Sequence, residues 1–178
     1  RAVQLADHAQ WDRLYQGYGV FYNRLEVIMI NAPLIRAVQL ADHAQWDRLY
    51  QGYGAFYKVT QTAQMRDRVW SWLFDPLHMT QGLVAVDAQG ALIGLAHYRP
   101  FARPLSATTG GFLDDLFVDQ AARRSGAGAA LIGQLRSIAR DEGWSVLRWI
   151  TADDNATARA LYDRVACETK WVTYDIKI

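Results

Sequence analysis

The stretch QAARRSGAGAALIGQL, residues 120–135, decides how the rest of the chain is interpreted. Two arginines, Arg123 and Arg124, precede the glycines Gly126 and Gly128, and an apolar run with helical spacing follows. The first N–H groups of a helix are unpaired and carry partial positive charge, so they bind anions. Glycine lets an anion approach the backbone because no Cβ intervenes. The stretch predicts a phosphate-binding loop; the alternative is a plain strand-to-helix turn with solvated arginines.

Composition narrows the classes of protein to consider. The chain has 178 residues, enough for one domain with its own core, and a net charge of +1. This charge gives no global field for nucleic acid or a membrane surface, so neither is an expected partner and any anion site must be local. No apolar run approaches the roughly 18 residues of a membrane span. The four histidines and the single cysteine, Cys167, do not cluster, so no metal site is expected. We expect a cytoplasmic protein in which Cys167 packs in the core.

One segment is duplicated. RAVQLADHAQWDRLYQGYG occurs at residues 1–19 and again at 36–54. Solenoids need about three or more repeats, so near-identity of two copies indicates a recent duplication or an assembly artefact. We predict that residues 29–178 form the functional domain and that residues 1–28 are a surplus copy without a role in the site. Exchange of an identical element is a low-cost route to a dimer, so we expect a homodimer in which residues 1–28 either pack across the subunit contact or are poorly ordered.

Hydrophobic periodicity predicts a mixed α/β fold with the order β-α-α-β-β-β-α-β-α-β. The predicted elements are a strand at 34–40, helices at 41–57 and 63–76, a hairpin at 82–101, a strand at 110–119, a helix at 127–141, a strand at 146–151, a helix at 156–166 and a strand at 171–178.

Three known anion-binding loops compete for the glycine stretch. A P-loop requires Lys-Ser/Thr after its last glycine, where this chain has Ala129-Ala130. A dinucleotide fingerprint requires a third glycine, where this chain has Leu131. The third pattern, Arg-x-x-Gly-x-Gly between a strand and a helix, is met by Arg123 to Gly128.

On these residues the chain resembles the GNAT acyltransferase superfamily. The apolar strand before Arg123 fits its core motif, and Asn155, Ala158, Leu161 and Tyr162 fit its Asn-x-x-Ala-x-x-Leu-Tyr motif. The resemblance covers about 29–178 and departs slightly at Gln120 and Arg124, where the family often has proline and glycine. It implies a central, mostly antiparallel twisted sheet flanked by helices and splayed between its fourth and fifth strands.

The resemblance also implies acetyl-CoA as the acyl donor. The pyrophosphate would lie on the backbone N–H groups of Ser125, Gly126, Ala127, Gly128 and Ala129, with Arg123 or Arg124 beside it. The pantetheine arm would pair like a strand with Leu116, Phe117 and Val118. The Leu116 N–H would then polarise the thioester carbonyl and hold the developing oxyanion.

Acyl transfer to an amine needs a neutral nucleophile and a protonated leaving thiolate. The resemblance places Tyr162 near the sulfur, and a tyrosine pKa of about 10 would suit that proton donation; a packed core tyrosine is the alternative. Asn155 either contacts the pantetheine or caps its helix. Asp114 and Asp115 lie in a strand, where acids are disfavoured. One of them is a candidate to receive the amine's proton; the alternative is solvation or pairing with arginine.

The acceptor is predicted only as a class. The aromatic residues of the first two helices and the loop after them could either line a binding site for a cationic amine or pack in the core. They are Tyr50, Tyr53, Phe56, Tyr57, Trp70, Trp72 and Phe74. We expect transfer to the primary amine of a small molecule, such as a polyamine or an amino acid, or of a basic peptide. The alternatives are a non-catalytic CoA-binding regulatory module, which would not need Tyr162, and a peptide- or nucleotide-binding domain, which would not need both motifs.

Overall fold

The computed structural model describes residues 32–178. The strands are β1 (Leu34–Ala37), β2 (Gln81–Val86), β3 (Leu92–Arg103), β4 (Thr108–Val118) and β5 (Leu147–Arg148). The helices are α1 (His43–Phe56), α2 (Ala63–Trp72), α3 (Ala127–Asp141) and α4 (Ala156–Val165). The predicted order is confirmed through α4, and α3 has the predicted bounds. The surplus copy at 1–28, and the subunit contact expected there, lie outside the described residues.

The five strands form one sheet in the order β1-β2-β3-β4-β5. The first three junctions are antiparallel, and β4 pairs with β5 in parallel. This mixed, mostly antiparallel sheet confirms the predicted fold class. No helix within residues 32–178 is both long and apolar enough to cross a membrane.

Helices cover both faces of the sheet, which explains why β2 is apolar at successive positions. Leu83 and Ala85 pack in a core with α3, whereas Val84 and Val86 pack in a second core with α1. Alternate residues of a strand point to opposite faces, so a strand covered on both sides needs apolar side chains throughout. The α3 core buries Leu131 completely, and burial of one such side chain stabilises the fold by about 1.5–3 kcal/mol.

Local hydrogen bonds explain where α3 ends. Gly143 lies in the left-handed region at φ 66°, directly after the C-cap residue Glu142. The N–H groups of Gly143 and Trp144 donate to the carbonyls of Arg140 and Ala139 at 3.1 and 2.7 Å. This Schellman arrangement satisfies the last carbonyls of the helix and turns the chain toward β5.

An irregularity in the pairing of β3 with β4 shapes the middle of the sheet. His97 pairs with Asp115, but the next residue, Tyr98, pairs with Leu113, so Asp114 is an extra residue on β4. Such a β-bulge bends the strand and redirects neighbouring side chains. It brings the two consecutive carboxylates to the side of the sheet covered by α1.

The sheet opens between β4 and β5, as predicted. β5 pairs with β4 only at Gly111 and Phe112, although β4 continues to Val118. Within residues 32–178, the second half of β4 is therefore paired on its β3 side alone. The strand predicted at 146–151 is therefore reduced to two residues. The second half of β4 has no partner strand on this side and borders an open slot.

Three expectations are wrong. The helix predicted at 63–76 ends at Trp72. The strand predicted at 171–178 does not form, and its apolar side chains are exposed. Apolar alternation alone does not make a strand, because each strand also needs a hydrogen-bonding edge, and the two-residue β5 offers almost none. Cys167, expected in the core, lies exposed in this same unpaired segment.

Candidate active site

The glycine loop joins β4 to α3 with two residues in the left-handed region. Gly126, the N-cap of α3, has φ 87°, and Arg124 has φ 68°. A non-glycine residue pays roughly 1–2 kcal/mol for this conformation. Glycine would adopt the backbone conformation of Arg124 without this cost. Gly128 serves another purpose: a Cβ on it would come within 3.3 Å of Leu161 on α4, so glycine allows the two helices to pack closely.

The start of α3 offers unpaired donors to a ligand. Ala127 N–H donates to Ser125 Oγ at 3.3 Å and Ala130 N–H to the Gly126 carbonyl at 2.9 Å. Within residues 32–178, the N–H groups of Gly126, Gly128 and Ala129 have no protein acceptor. All three residues line a cleft of about 690 Å³. The loop therefore has the donors and the space that an anionic group requires.

The cleft collects most of the residues predicted to bind the donor. Leu116, Phe117 and Val118 line it along β4, and Arg123, Arg124 and Asn155 line it at the loop and α4. The Arg123 guanidinium lies 5.6 Å from the centroid of the Phe56 ring on α1. Two lining residues that the sequence did not single out for this role are Thr157 and Arg164; they lie near the Asn155 motif on α4.

Asn155 has a clear structural role. Its Oδ1 accepts a hydrogen bond from Ala158 N–H at 3.3 Å, and its Nδ2 donates to Thr151 Oγ1 at 3.2 Å. The capping interpretation is thus confirmed. A contact of Asn155 with the donor stays a prediction.

Tyr162 lies at the wall of the same cleft. Its ring packs against Trp149 in a T-shaped arrangement, with 5.3 Å between the centroids. Burial, followed by the nearby Tyr57, raises the pKa of its hydroxyl to about 12. The expectation of a pKa near 10 is therefore corrected. The hydroxyl stays protonated at neutral pH and is a weaker acid than an exposed tyrosine.

The two consecutive acids of β4 have different partners. Asp114 Oδ1 accepts from Arg99 Nε at 3.2 Å, and burial raises the pKa of this carboxyl although Arg99 opposes the change. Asp115 Oδ2 lies 2.8 Å from His97 Nδ1, its neighbour across β3. Asp114 thus matches the expected pairing with arginine, whereas Asp115 belongs to a more buried cluster.

The sequence did not single out His97 and Trp46 as site residues. His97 is 1% exposed, and its Nε2 accepts a hydrogen bond from Trp46 Nε1 at 3.0 Å. A histidine inside an apolar strand is a weak signal by itself. Only the pairing register of β3 and β4 shows that it faces Asp115. Among the described residues, no group of histidines, cysteines and acids could hold a metal ion.

A row of aromatic rings along α1 leads from this cluster to the cleft. Tyr50 contacts His97 edge-on at 4.9 Å between centroids, Tyr53 lies 6.1 Å from Tyr50, and Tyr57 lies 5.1 Å from Tyr53. Burial, followed by the charge of Asp115, raises the pKa of both Tyr50 and Tyr53. Their hydroxyls therefore stay protonated beside the carboxylate.

The aromatic residues of α2 and the loop after it have a different role. Trp70 packs against Trp46 and Phe74, and Trp72 stacks on His78. For the half-buried Trp70 and Trp72, the contacts support the packing interpretation, whereas Phe74 is 37% exposed despite its contact with Trp70.

Comparison with known proteins agrees with the fold. The model of the acetyltransferase (GNAT) family matches residues 46–166. The D-amino-acid N-acetyltransferase HPA3 of Saccharomyces cerevisiae is 30% identical over 118 residues, which are 66% of this chain and 73% of the yeast protein.

Solved structures share the fold at lower identity. A ribosomal-protein-alanine N-acetyltransferase from Brucella melitensis biovar Abortus 2308 has a TM-score of 0.69 at 23% identity, covering 83% of this chain and 99% of its own. An aminoglycoside acetyltransferase from an uncultured soil metagenomic sample, solved with sisomicin, has a TM-score of 0.69 at 15% identity, covering 83% and 97%.

The fold, the loop and these matches define the protein as an acyltransferase. The chain belongs to the GNAT acetyltransferase family. It is accordingly an N-acetyltransferase, and acetyl-CoA is its acyl donor.

Proposed function

We propose that this N-acetyltransferase acetylates the primary amine of a small amino acid. The observation that carries this proposal is the combination of Asp115, Asp114 and Arg99 on one side of β3 and β4. A carboxylate suits the acceptor's ammonium group, and a guanidinium suits its carboxylate. The 30% identity to a yeast D-amino-acid N-acetyltransferase supports the same class.

The donor binds in the cleft, with its pyrophosphate on the unpaired N–H groups at the start of α3. Arg123 and Arg124 add charge beside these groups, and the unpaired edge of β4 receives the peptide-like pantetheine. Space for this arrangement exists, because a Cβ built on Gly126 meets no protein atom within 4 Å.

Replacing Gly126 with valine is expected to weaken binding of CoA about tenfold or more. The β-branched side chain strains a backbone at φ 87° and projects into the space assigned to the pyrophosphate. Isothermal titration calorimetry with CoA measures the effect.

Gly133→Ala provides the control. Gly133 lies within α3, is not in the left-handed region, and also has open space around a Cβ. This variant should bind CoA like the wild type and be slightly more stable, because alanine favours a helix. A folded Gly126→Val variant with unchanged affinity would contradict the proposed cradle.

Asp115 and Tyr162 each carry out one of the proton transfers that the reaction needs. Asp115 accepts one proton from the acceptor's ammonium group and passes it to water, which leaves a neutral amine. The amine nitrogen bonds to the thioester carbonyl carbon as the carbon–sulfur bond breaks, while Leu116 N–H polarises the carbonyl oxygen. Tyr162 gives its proton to the thiolate and regains one from the nitrogen, which becomes a neutral amide.

Arg99 distinguishes an amino acid from other amines. The Arg99 side chain is partly exposed, and its guanidinium group lies over the Phe112 ring, with 5.2 Å between the guanidinium carbon and the ring centroid. Only its Nε is bonded to Asp114; within residues 32–178, its two terminal nitrogens make no hydrogen bond. They are therefore assigned to the acceptor's carboxylate.

A panel of acceptors with acetyl-CoA, measured by release of free thiol, tests the function. It contains D- and L-amino acids, the amines that lack their carboxylates, a polyamine and a basic peptide. Amino acids should give the highest kcat/KM, and Arg99→Gln should raise KM for an amino acid but not for its decarboxylated amine. A higher kcat/KM for the polyamine or peptide would refute the acceptor class. Donor binding without thiol release for any acceptor would favour a regulatory module.

A further inference from the structure

A buried chain of hydrogen bonds ends at the carboxylate assigned to the acceptor amine. Trp46 Nε1 lies 3.0 Å from His97 Nε2, and His97 Nδ1 lies 2.8 Å from Asp115 Oδ2. Trp46 and His97 are each 1% exposed, so water does not compete for these bonds. The side chain of Asp115 is 20% exposed, which makes it the accessible end of the chain.

The chemistry of tryptophan determines the tautomer of His97. The indole N–H can only donate, so His97 Nε2 must accept and carries no proton. The proton of the neutral ring is therefore on Nδ1, where it donates to Asp115. A proton on Nε2 instead would face the indole N–H and leave Nδ1 without a hydrogen to give to the carboxylate.

We propose that His97 is a positioning residue for acetyl transfer, and that Trp46 holds it in the tautomer that orients Asp115 toward the acceptor amine. This inference rests on the proposed role of Asp115. His97 engages Oδ2, so Oδ1 is the oxygen that meets the amine. Second partners of this kind set the orientation of a reacting group, and a small misplacement of such a group can lower the rate about 10²-fold.

Other polar groups face the same carboxylate. Tyr50 and Tyr53 approach it from α1, and Asp114 adjoins it on β4 with its charge balanced by Arg99 of β3. Within residues 32–178, His97 is the side chain that hydrogen-bonds Asp115 at 2.8 Å, whereas the two tyrosine hydroxyls make no hydrogen bond of comparable geometry to it and Arg99 is bonded to Asp114.

Two substitutions at His97 separate its two hydrogen bonds. In His97→Asn, the amide nitrogen is bonded to Cγ like Nδ1, so the variant retains a donor toward Asp115. In His97→Gln, the amide is one atom further out, where it can meet Trp46 but not Asp115. We expect His97→Gln to lower kcat about 10- to 100-fold and His97→Asn to remain within about threefold of wild type. Both should bind acetyl-CoA with the wild-type Kd, which also verifies folding.

The split between kcat and the acceptor KM gives a readout that packing alone would not move. A misplaced base slows the chemical step, so His97→Gln should lose kcat while its acceptor KM stays near the wild-type value. Restoration of kcat by His97→Asn, which keeps a donor toward Asp115, would identify that hydrogen bond as the cause. Equal kcat in the two variants would overturn the proposal.

Nitrogen NMR of the wild-type protein tests the tautomer without any risk of misfolding. Long-range ¹H–¹⁵N spectra should show His97 protonated at Nδ1, and Trp46→Phe should allow the other tautomer. An Nε2-protonated His97 in the wild type would refute the inference. If Asp115→Asn leaves turnover unchanged, the proposed base is wrong; if it impairs turnover while His97→Gln does not, only the positioning role fails.

Discussion

Replacement of Tyr162 with phenylalanine is expected to lower turnover about 10²- to 10⁴-fold, the usual contribution of a positioned proton donor. The change removes only the hydroxyl, and the ring can keep its contact with Trp149. The Kd for acetyl-CoA should therefore remain unchanged, so that the loss appears in kcat. Steady-state kinetics with calorimetry of donor binding measure both quantities.

Tyr98→Phe is the matched control. Burial also raises the pKa of Tyr98, but its hydroxyl donates to Gln81 Oε1 at 2.9 Å, and the residue does not line the cleft. Turnover of this variant should stay close to wild type. A Tyr162→Phe enzyme within about threefold of wild type would assign Tyr162 to packing.

The raised pKa of Tyr162 also predicts a pH range in which titration of this hydroxyl does not change the rate. With a pKa raised to about 12, most of the hydroxyl stays protonated up to about pH 10.5. Any fall in the wild-type rate between pH 8 and about 10.5 must then come from another group. Such a fall should persist at the same pH in the residual activity of Tyr162→Phe.

Replacement of Asp115 with asparagine is expected to lower kcat/KM for the acceptor about 10²-fold or more at neutral pH. Asparagine has a similar shape but cannot accept the ammonium proton. Only the fraction of acceptor already neutral in solution could then react. Because amine pKa values are about 8 to 10, the variant's activity should rise with pH more steeply than that of wild type.

Asp114→Asn separates the roles of the two neighbouring carboxylates. Asp114 is paired with Arg99, so its loss should raise the acceptor KM and change kcat little. The KM for acetyl-CoA should be unaffected in both variants. Wild-type kinetics in Asp115→Asn, or a larger kcat defect in Asp114→Asn, would contradict the assignment of Asp115 as the base.

Much of the donor side could be predicted from the sequence because its signals are local. The apolar spacing of α3 and the glycines before it predict both the helix and its exposed N–H groups, and the observed bounds of α3 agree with that prediction. Asn155 and Tyr162 lie on one short helix, so their relative placement follows from helical geometry. The pKa of Tyr162 could not be predicted in the same way, because it depends on burial by residues distant in the sequence.

Residue types and local spacing by themselves predicted the order of the elements through α4 and the helix that begins after the glycines, whereas Tyr162 was singled out by its match to the family motif. Tertiary structure alone decided the arrangement of Trp46, His97 and Asp115 and the course of the C-terminal segment. Trp46 and His97 are 51 residues apart, and a bulge in the β3–β4 register places His97 opposite Asp115. The alternating apolar residues at 171–178 do not pair with a strand edge in the described part of the chain. Strand register and edge availability depend on long-range pairing, and no local pattern encodes them.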